Sequence, residues 1–213
     1  VFITGLLTFI VIGPIMRGVG NAITVSLIGL INILGPIGGG IFGFFYAPIV
    51  ITGMYHSFTA VETQLLADVA TTGGSFIFPV AAMSNVAQGA AALAVILILK
   101  NDKKMKGIAS ASGISALLGI TEPAIFGINL KLRYPFYGAM VGSAVASAYI
   151  MLTKVLALAP GAAGLPGIIP IRPDSMFNYA IGMIISMSIA VISTIMLAKV
   201  MNKKKSKVMQ TIC

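Results

Sequence analysis

The chain has 213 residues, 58% of them hydrophobic and 9% charged, against roughly 25% charged in soluble domains. That balance, with apolar runs long enough to cross a bilayer, excludes a soluble globular domain. The net charge of +9 would point to nucleic acid in a soluble protein. Here the bases cluster between apolar spans, at 100–106, 131–133 and 199–207. They lack the interleaved aromatics on which single strands stack. The chain reads as an integral membrane protein with the lipid bilayer as its partner and no nucleic acid.

In chain order, residues 2–15 are apolar up to Pro14 and Arg17 and read as the end of a spanning helix. The sequence opens on Val1 inside that run, so it is expected to be the C-terminal piece of a longer protein. Residues 23–52 exceed the roughly 20 that a straight span needs and are interrupted by GPIGGG at 35–40. A kinked helix or two joined segments is expected, and residues 1–52 are expected to lead into a transport region, 53–201.

Residues 56–72, HSFTAVETQLLADVATT, carry His56, Glu62, Gln64 and Asp68 and are followed by two glycines. This is too polar for a lipid-facing helix and too apolar for an ordinary loop. It suits a re-entrant hairpin near 54–74, because non-spanning backbone at membrane depth must be covered by protein or line a cavity. Residues 76–99 form a full span stopped by KNDKKMK. A second hairpin is expected near 107–130, where GITEP (119–123) puts a proline inside an apolar segment. The last two spans are 135–158 and 176–200, joined by the glycine- and proline-rich APGAAGLPGIIPIRPD, a connecting loop. A basic tail, 202–213, closes the chain.

Charge orients these segments. With basic loops cytoplasmic, the parity works only if 107–129 enters and leaves from the cytoplasmic side. The tail is then cytoplasmic and the 160–174 loop lies outside.

An ionisable residue at membrane depth costs several kcal/mol, about 2.5–3.5 for Asp on the insertion scale. Glu122 therefore either caps a broken half-helix or faces a substrate, and the second reading is preferred because intramembrane carboxylates default to function. His56, the single histidine, is on its own merits more often an interior packing residue. Glu62, Gln64 and Asp68 equally suit a solvated helix face. Asn85 and Gln88, inside a span, either bond across helices or hold substrate hydroxyls. With one histidine and one cysteine, Cys213, at the chain's last position, no Cys/His metal cluster, internal disulfide or cofactor is expected. No phosphate-binding G-x-x-x-x-G-K-[ST] loop is present.

GITEP followed by AIFGINLKLRYPF, and TGMYHSF followed by GGSFIFPVAAMSNVAQGAA, resemble the membrane IIC domain of the bacterial phosphotransferase system. The resemblance lies in the glucose superfamily, among sucrose-specific IIBC transporters, with trehalose and β-glucoside relatives nearby. It implies an all-α integral membrane fold with two re-entrant helical hairpins, multi-pass in the bacterial cytoplasmic membrane. It implies import of a sugar, sucrose above all, with concomitant phosphorylation to a sugar 6-phosphate. That is the work of a protein-N(pi)-phosphohistidine–sugar phosphotransferase, fed by a phosphorylated IIB domain, with IIA and HPr upstream, in a homodimer. The donor cysteine of IIB is expected outside this sequence, because Cys213 lacks its basic context.

The resemblance carries sugar binding to Glu122 and to the Tyr55–His56 region, where relatives usually have histidine in place of Tyr55. The expected site is thus Glu122 and His56 for chemistry, with Tyr55, Thr121, Asn85, Gln88 and Glu62 for substrate. Two other readings stand beside it: an ion-coupled secondary transporter with Glu122 as coupling site, and a sensory sugar receptor.

Overall fold

The computed structural model describes residues 33–67, 69–99 and 102–212, together with Pro14 and Gly29. The expected helix at 2–15 apart from Pro14, residues 23–28 and 30–32 of the segment 23–52, Asp68 and Cys213 lie outside the described residues, as do the side chains of His56 and of 202–212.

The described chain is helical. In order it forms α1 (Pro36–Ile51), α2 (Tyr55–Ala67), a single turn α3 (Val69–Thr72), α4 (Ile77–Ile98) and α5 (Lys103–Leu117). A bend at 118–121 leads into α6 (Glu122–Ala124), a π-helical turn (Ile125–Asn129) and α7 (Leu130–Leu132). The last two helices are α8 (Tyr134–Leu152) and α9 (Met176–Ile212). Among the described residues, three helical segments are long and apolar enough to cross a membrane: Ile77–Ile98, Tyr134–Leu152 and Pro173–Met201.

Local chemistry sets the helix starts. Pro36 and Pro135 lie in the first turns of α1 and α8, where a missing N–H costs nothing. The Asp102 carboxylate caps α5, accepting from the Met105 amide at 2.9 Å. Glycine-bounded GPIGGG marks a helix start: Gly35 has a positive φ of 52° and α1 begins at Pro36.

The bundle is built around α4. This alanine-rich helix is buried on all sides, with Val80, Ala82, Met83, Val86, Ala87 and Val95 at or near full burial. The faces of α1, α5, α8 and α9 that pack in the bundle carry small residues. Ser143 Oγ on α8 donates to the Gly43 carbonyl of α1 at 2.7 Å, and Ser186 Oγ on α9 donates to the Met83 carbonyl of α4 at 2.7 Å. Such bonds hold helices together where apolar burial offers no drive against lipid. The far side of α9 leaves Phe177, Ile184, Ile192 and Met196 exposed, an apolar face available to lipid.

Two ends differ from expectation. Helix α8 stops at Leu152, because the chain turns through Lys154 at φ 52° and buries Val155 and Ala157 inside the following loop. Helix α9 runs on to Ile212. Hydropathy marks where a chain leaves the apolar layer, and the lysines after Val200 are good helix formers that do not end it.

The segment 103–132 is a helical hairpin. Gly127 lies beside Ile108, so the return arm runs antiparallel to α5. At 1.5 Å per residue the arms are about 22 and 16 Å long, shorter than the roughly 30 Å apolar layer. The polar stretch 55–72 is one helix and a further turn. It folds back on α4: Phe58 and Val61 pack with Ile77, Val80 and Ala81, past the tip at Gly73–Gly74.

Close packing of α8 on α9 gives a direct test. A Cβ on Gly142 would stand 2.7 Å from the Ser186 carbonyl oxygen and 2.8 Å from Ala190 Cβ, so Gly142→Ala should destabilise by about 1–3 kcal/mol. Gly107→Ala on α5, where nothing lies within 4 Å, should be neutral or stabilising. Thermal unfolding in detergent reads both, and a Gly142→Ala protein that melts with the parent would contradict this packing.

Candidate functional site

The site is built from four pieces of backbone. The first is the bend of the 103–132 hairpin. Leu118 N–H donates to Ile114 O and Ser115 O, and Gly119 takes a φ of 104°, a conformation that favours glycine. The helical return arm then begins at Glu122 with Pro123 directly behind it. Proline at that position needs no donor and presets the helix, which explains the order of the residues in GITEP. Thr121 is buried and Glu122 is exposed, and both line one cavity of about 270 Å³.

The second piece is α2. It contributes Tyr55, Phe58, Thr59 and Glu62 to the same cavity. Glu62 is anchored from below: its Oε1 accepts from Ser75 Oγ at 3.3 Å, while Ser75 Oγ accepts from the Ile77 amide at 3.2 Å. Burial pushes the Glu62 carboxyl above the usual carboxylate range, and the Ser75 bond offsets part of that rise.

The third piece is α4, which presents Phe78, Ala81 and Asn85. The fourth is the glycine- and proline-rich segment after α8. Instead of a passive connection it folds over the bundle and closes the cavity with Gly161, Ala162 and Ala163. Its anchors are explicit. Asn85 Nδ2 donates to the Ala163 carbonyl at 2.7 Å, and Tyr179 Oη donates to the Gly164 carbonyl at 3.0 Å. Ala157 bridges Ser75 on one side and Ile171 on the other, which ties the loop to the residue that holds Glu62.

Five expected site residues therefore meet around one cavity: Tyr55, Glu62, Asn85, Thr121 and Glu122. Gln88 does not line it. One helical turn below Asn85, its side-chain and backbone oxygens accept from Asn129 Nδ2 at 2.6 and 3.0 Å. That amide pair joins α4 to the π-helical turn of the return arm. His56 follows Tyr55 on α2, and its side chain lies outside the described residues. Tyr46 of α1, Thr59 and the 161–163 segment are lining residues that sequence reasoning missed. Tyr46 stands in an apolar helix with nothing to set it apart. Thr59 lies one turn before Glu62 and shares its face, which was the available signal.

Two carboxyl groups, an amide, hydroxyls and aromatic rings around a half-open cavity can bind a polar, polyhydroxylated solute and accept a proton from it. The domain that holds this cavity has, among the described residues, three helices long and apolar enough to cross a membrane. Residues 1–143 match the model of the phosphotransferase system EIIC family, and the chain belongs to that family.

The sequence is 62% identical to the "PTS system sucrose-specific EIIBC component" of Pasteurella multocida, over 93% of this chain and 42% of that protein. It is 60% identical to the protein of the same name from Vibrio alginolyticus, over 92% and 41%. It is also 46% identical to the "PTS system trehalose-specific EIIBC component" of Bacillus subtilis, over 94% and 42%. The chain thus spans less than half the length of these relatives. No solved structure matches it.

The Glu62–Ser75 pair yields a signed expectation. Because burial penalises the charged form, the cost of ionising Glu62 is absent below the ordinary carboxylate range. It is present in full once the pH has passed the raised value. Ser75→Ala removes the bond that favours the carboxylate, so Glu62 should titrate at still higher pH. Infrared titration of the carboxyl band, assigned with Glu62→Gln, measures it. An unchanged or lowered midpoint in Ser75→Ala would contradict the pairing.

Proposed function

We propose that this chain is part of the sugar-translocating IIC domain of a phosphoenolpyruvate-dependent phosphotransferase system. It imports sucrose and yields sucrose 6-phosphate. The observation that carries the reading is the cavity shared by Glu122 and Thr121 of GITEP with Glu62, Tyr55 and Asn85. Sucrose is favoured over trehalose by the names of the relatives: those at 60–62% identity are called sucrose-specific, against 46% for the trehalose-specific protein.

In this reading the sugar lies in the cavity, held through its hydroxyls by Tyr55, Thr121, Asn85 and Glu62, with His56 beside Tyr55 on the same helix. The donor is a phosphocysteine on the IIB partner, charged through IIA and HPr. The primary hydroxyl oxygen of the sugar attacks phosphorus, the S–P bond breaks, and the cysteine thiolate leaves. The hydroxyl proton passes to the Glu122 carboxylate. Phosphoryl transfer needs little of the protein beyond position and charge, and a carboxylate at the reacting hydroxyl supplies both. The asparagine and threonine neighbours carry no charge that would neutralise it.

The short arms of the 103–132 hairpin and the lysines at its base support a re-entrant segment that enters and leaves from the cytoplasmic side. The Glu122 bend is then carried into the membrane, where a sugar would be handed across. The basic tail is cytoplasmic, and the domain sits in the bacterial cytoplasmic membrane as one half of a homodimer.

Replacing Glu122 by Gln in the full-length transporter should lower phosphoenolpyruvate-dependent sugar phosphorylation by about 10²–10⁴-fold, the range for a lost proton acceptor, while membrane insertion is retained. The assay is sugar phosphate formed in membrane vesicles supplied with IIA and HPr. Phosphorylation near the parental rate in Glu122→Gln would overturn the assignment.

A further inference from the structure

Tyr46 lies on α1, the one helix at the cavity that carries no residue expected from the sequence. It is 8% exposed, yet it lines the cavity together with Val50 one turn on. Its ring is fixed. Phe42 meets it edge-on at 5.7 Å and 81°, and Phe58 of α2 lies nearly parallel at 6.3 Å and 23°.

The helix beneath it is fixed as well. The Gly43 carbonyl accepts from Ser143 Oγ, and Gly39 and Gly43 sit so close to α8 that a Cβ on either would strike Met151 or Ser147. These contacts hold the Tyr46 ring between Phe42 and Phe58 at the cavity wall.

Its hydroxyl makes no side-chain hydrogen bond to a described residue and is not fully shut away, as befits a residue that lines the cavity. Buried phenols usually find a partner, and here the groups within electrostatic reach are Glu62 and Tyr55, both of the cavity wall. A fixed, unpaired polar atom at the edge of a cavity is the arrangement that selects for a substrate hydroxyl. A ligand that lacks the hydroxyl leaves that atom buried and unpaired, and a ligand that has it does not.

The geometry points to Tyr46 as a specificity-determining residue of the cavity, its hydroxyl bonding one hydroxyl of the bound sugar beside Glu62. This rests on the cavity being the sugar site.

The test is sugar affinity in the purified full-length transporter, for sucrose and each of its monodeoxy analogues, with the parent protein and Tyr46→Phe. Phenylalanine keeps the ring contacts and removes only the hydroxyl. Tyr46→Phe should weaken sucrose binding roughly three- to tenfold, the size of one neutral hydrogen bond. One monodeoxy analogue should already show that loss with the parent protein and lose nothing more with the variant. An equal loss across every analogue, or no loss for any, overturns the assignment and leaves Tyr46 as packing.

Should Tyr46→Phe fail to fold, 3-fluorotyrosine at position 46 replaces it. Its ¹⁹F resonance should shift with sucrose and stay unmoved by the silent analogue, and a resonance that moves equally with both overturns the proposal. A parent protein that binds no sugar would instead overturn the reading of the cavity itself.

Discussion

A Cβ on Gly164 would stand 2.7 Å from the Gly119 amide nitrogen and 3.0 Å from the Leu118 carbonyl carbon, and would collide with the Leu117 carbonyl oxygen. The loop after α8 and the bend of the 103–132 hairpin thus meet backbone to backbone, a contact only glycine allows. Each of these two irregular segments is the cover for the other, and the cavity is the space they leave against α2 and α4. Lose the contact, and the bend that starts the helix at Glu122 and the wall at 161–163 both lose their support.

The scaffold turns that contact into a defined site. Helix α4 is enclosed by its neighbours, so Asn85 projects from a rigid support and its bond to the Ala163 carbonyl fixes the loop at one height. Tyr179 on α9 holds the next residue, Gly164. Ser75 serves two ends at once, starting α4 through the Ile77 amide and anchoring Glu62. Below the cavity, the Gln88–Asn129 amide pair fastens the return arm to α4. A π-helical turn at that point places Asn129 fully inside the bundle. The carboxyl groups at 62 and 122 are therefore held by separate arms that converge on the same central helix.

Much of this was legible from residue order. Apolar length marked α4 to within a residue or so at each end, and GITEP marked the bend because a proline after a carboxylate has no place inside a spanning helix. Polarity marked α2 as a segment that is neither span nor loop, and five of the seven expected site residues line one cavity. The rest depends on tertiary contact. The 159–174 segment reads as a linker by composition, since glycine and proline announce turns and say nothing of what a turn covers. Tyr46 is invisible in a run of apolar residues, because only the packing of Phe42 and Phe58 turns its ring toward the site. The two readings of Gln88 were equally compatible with sequence, and only the fold places it outside the cavity, bonded to Asn129 41 residues away.

The most direct measurement is a cryo-electron microscopy structure of the full-length transporter with sucrose bound. Sugar density in the cavity bounded by the Glu122 bend, α2 and residues 161–163, with hydroxyls within hydrogen-bond distance of both Glu122 and Glu62, is the predicted result. Sugar bound elsewhere, with that cavity closed or holding only water, would contradict it.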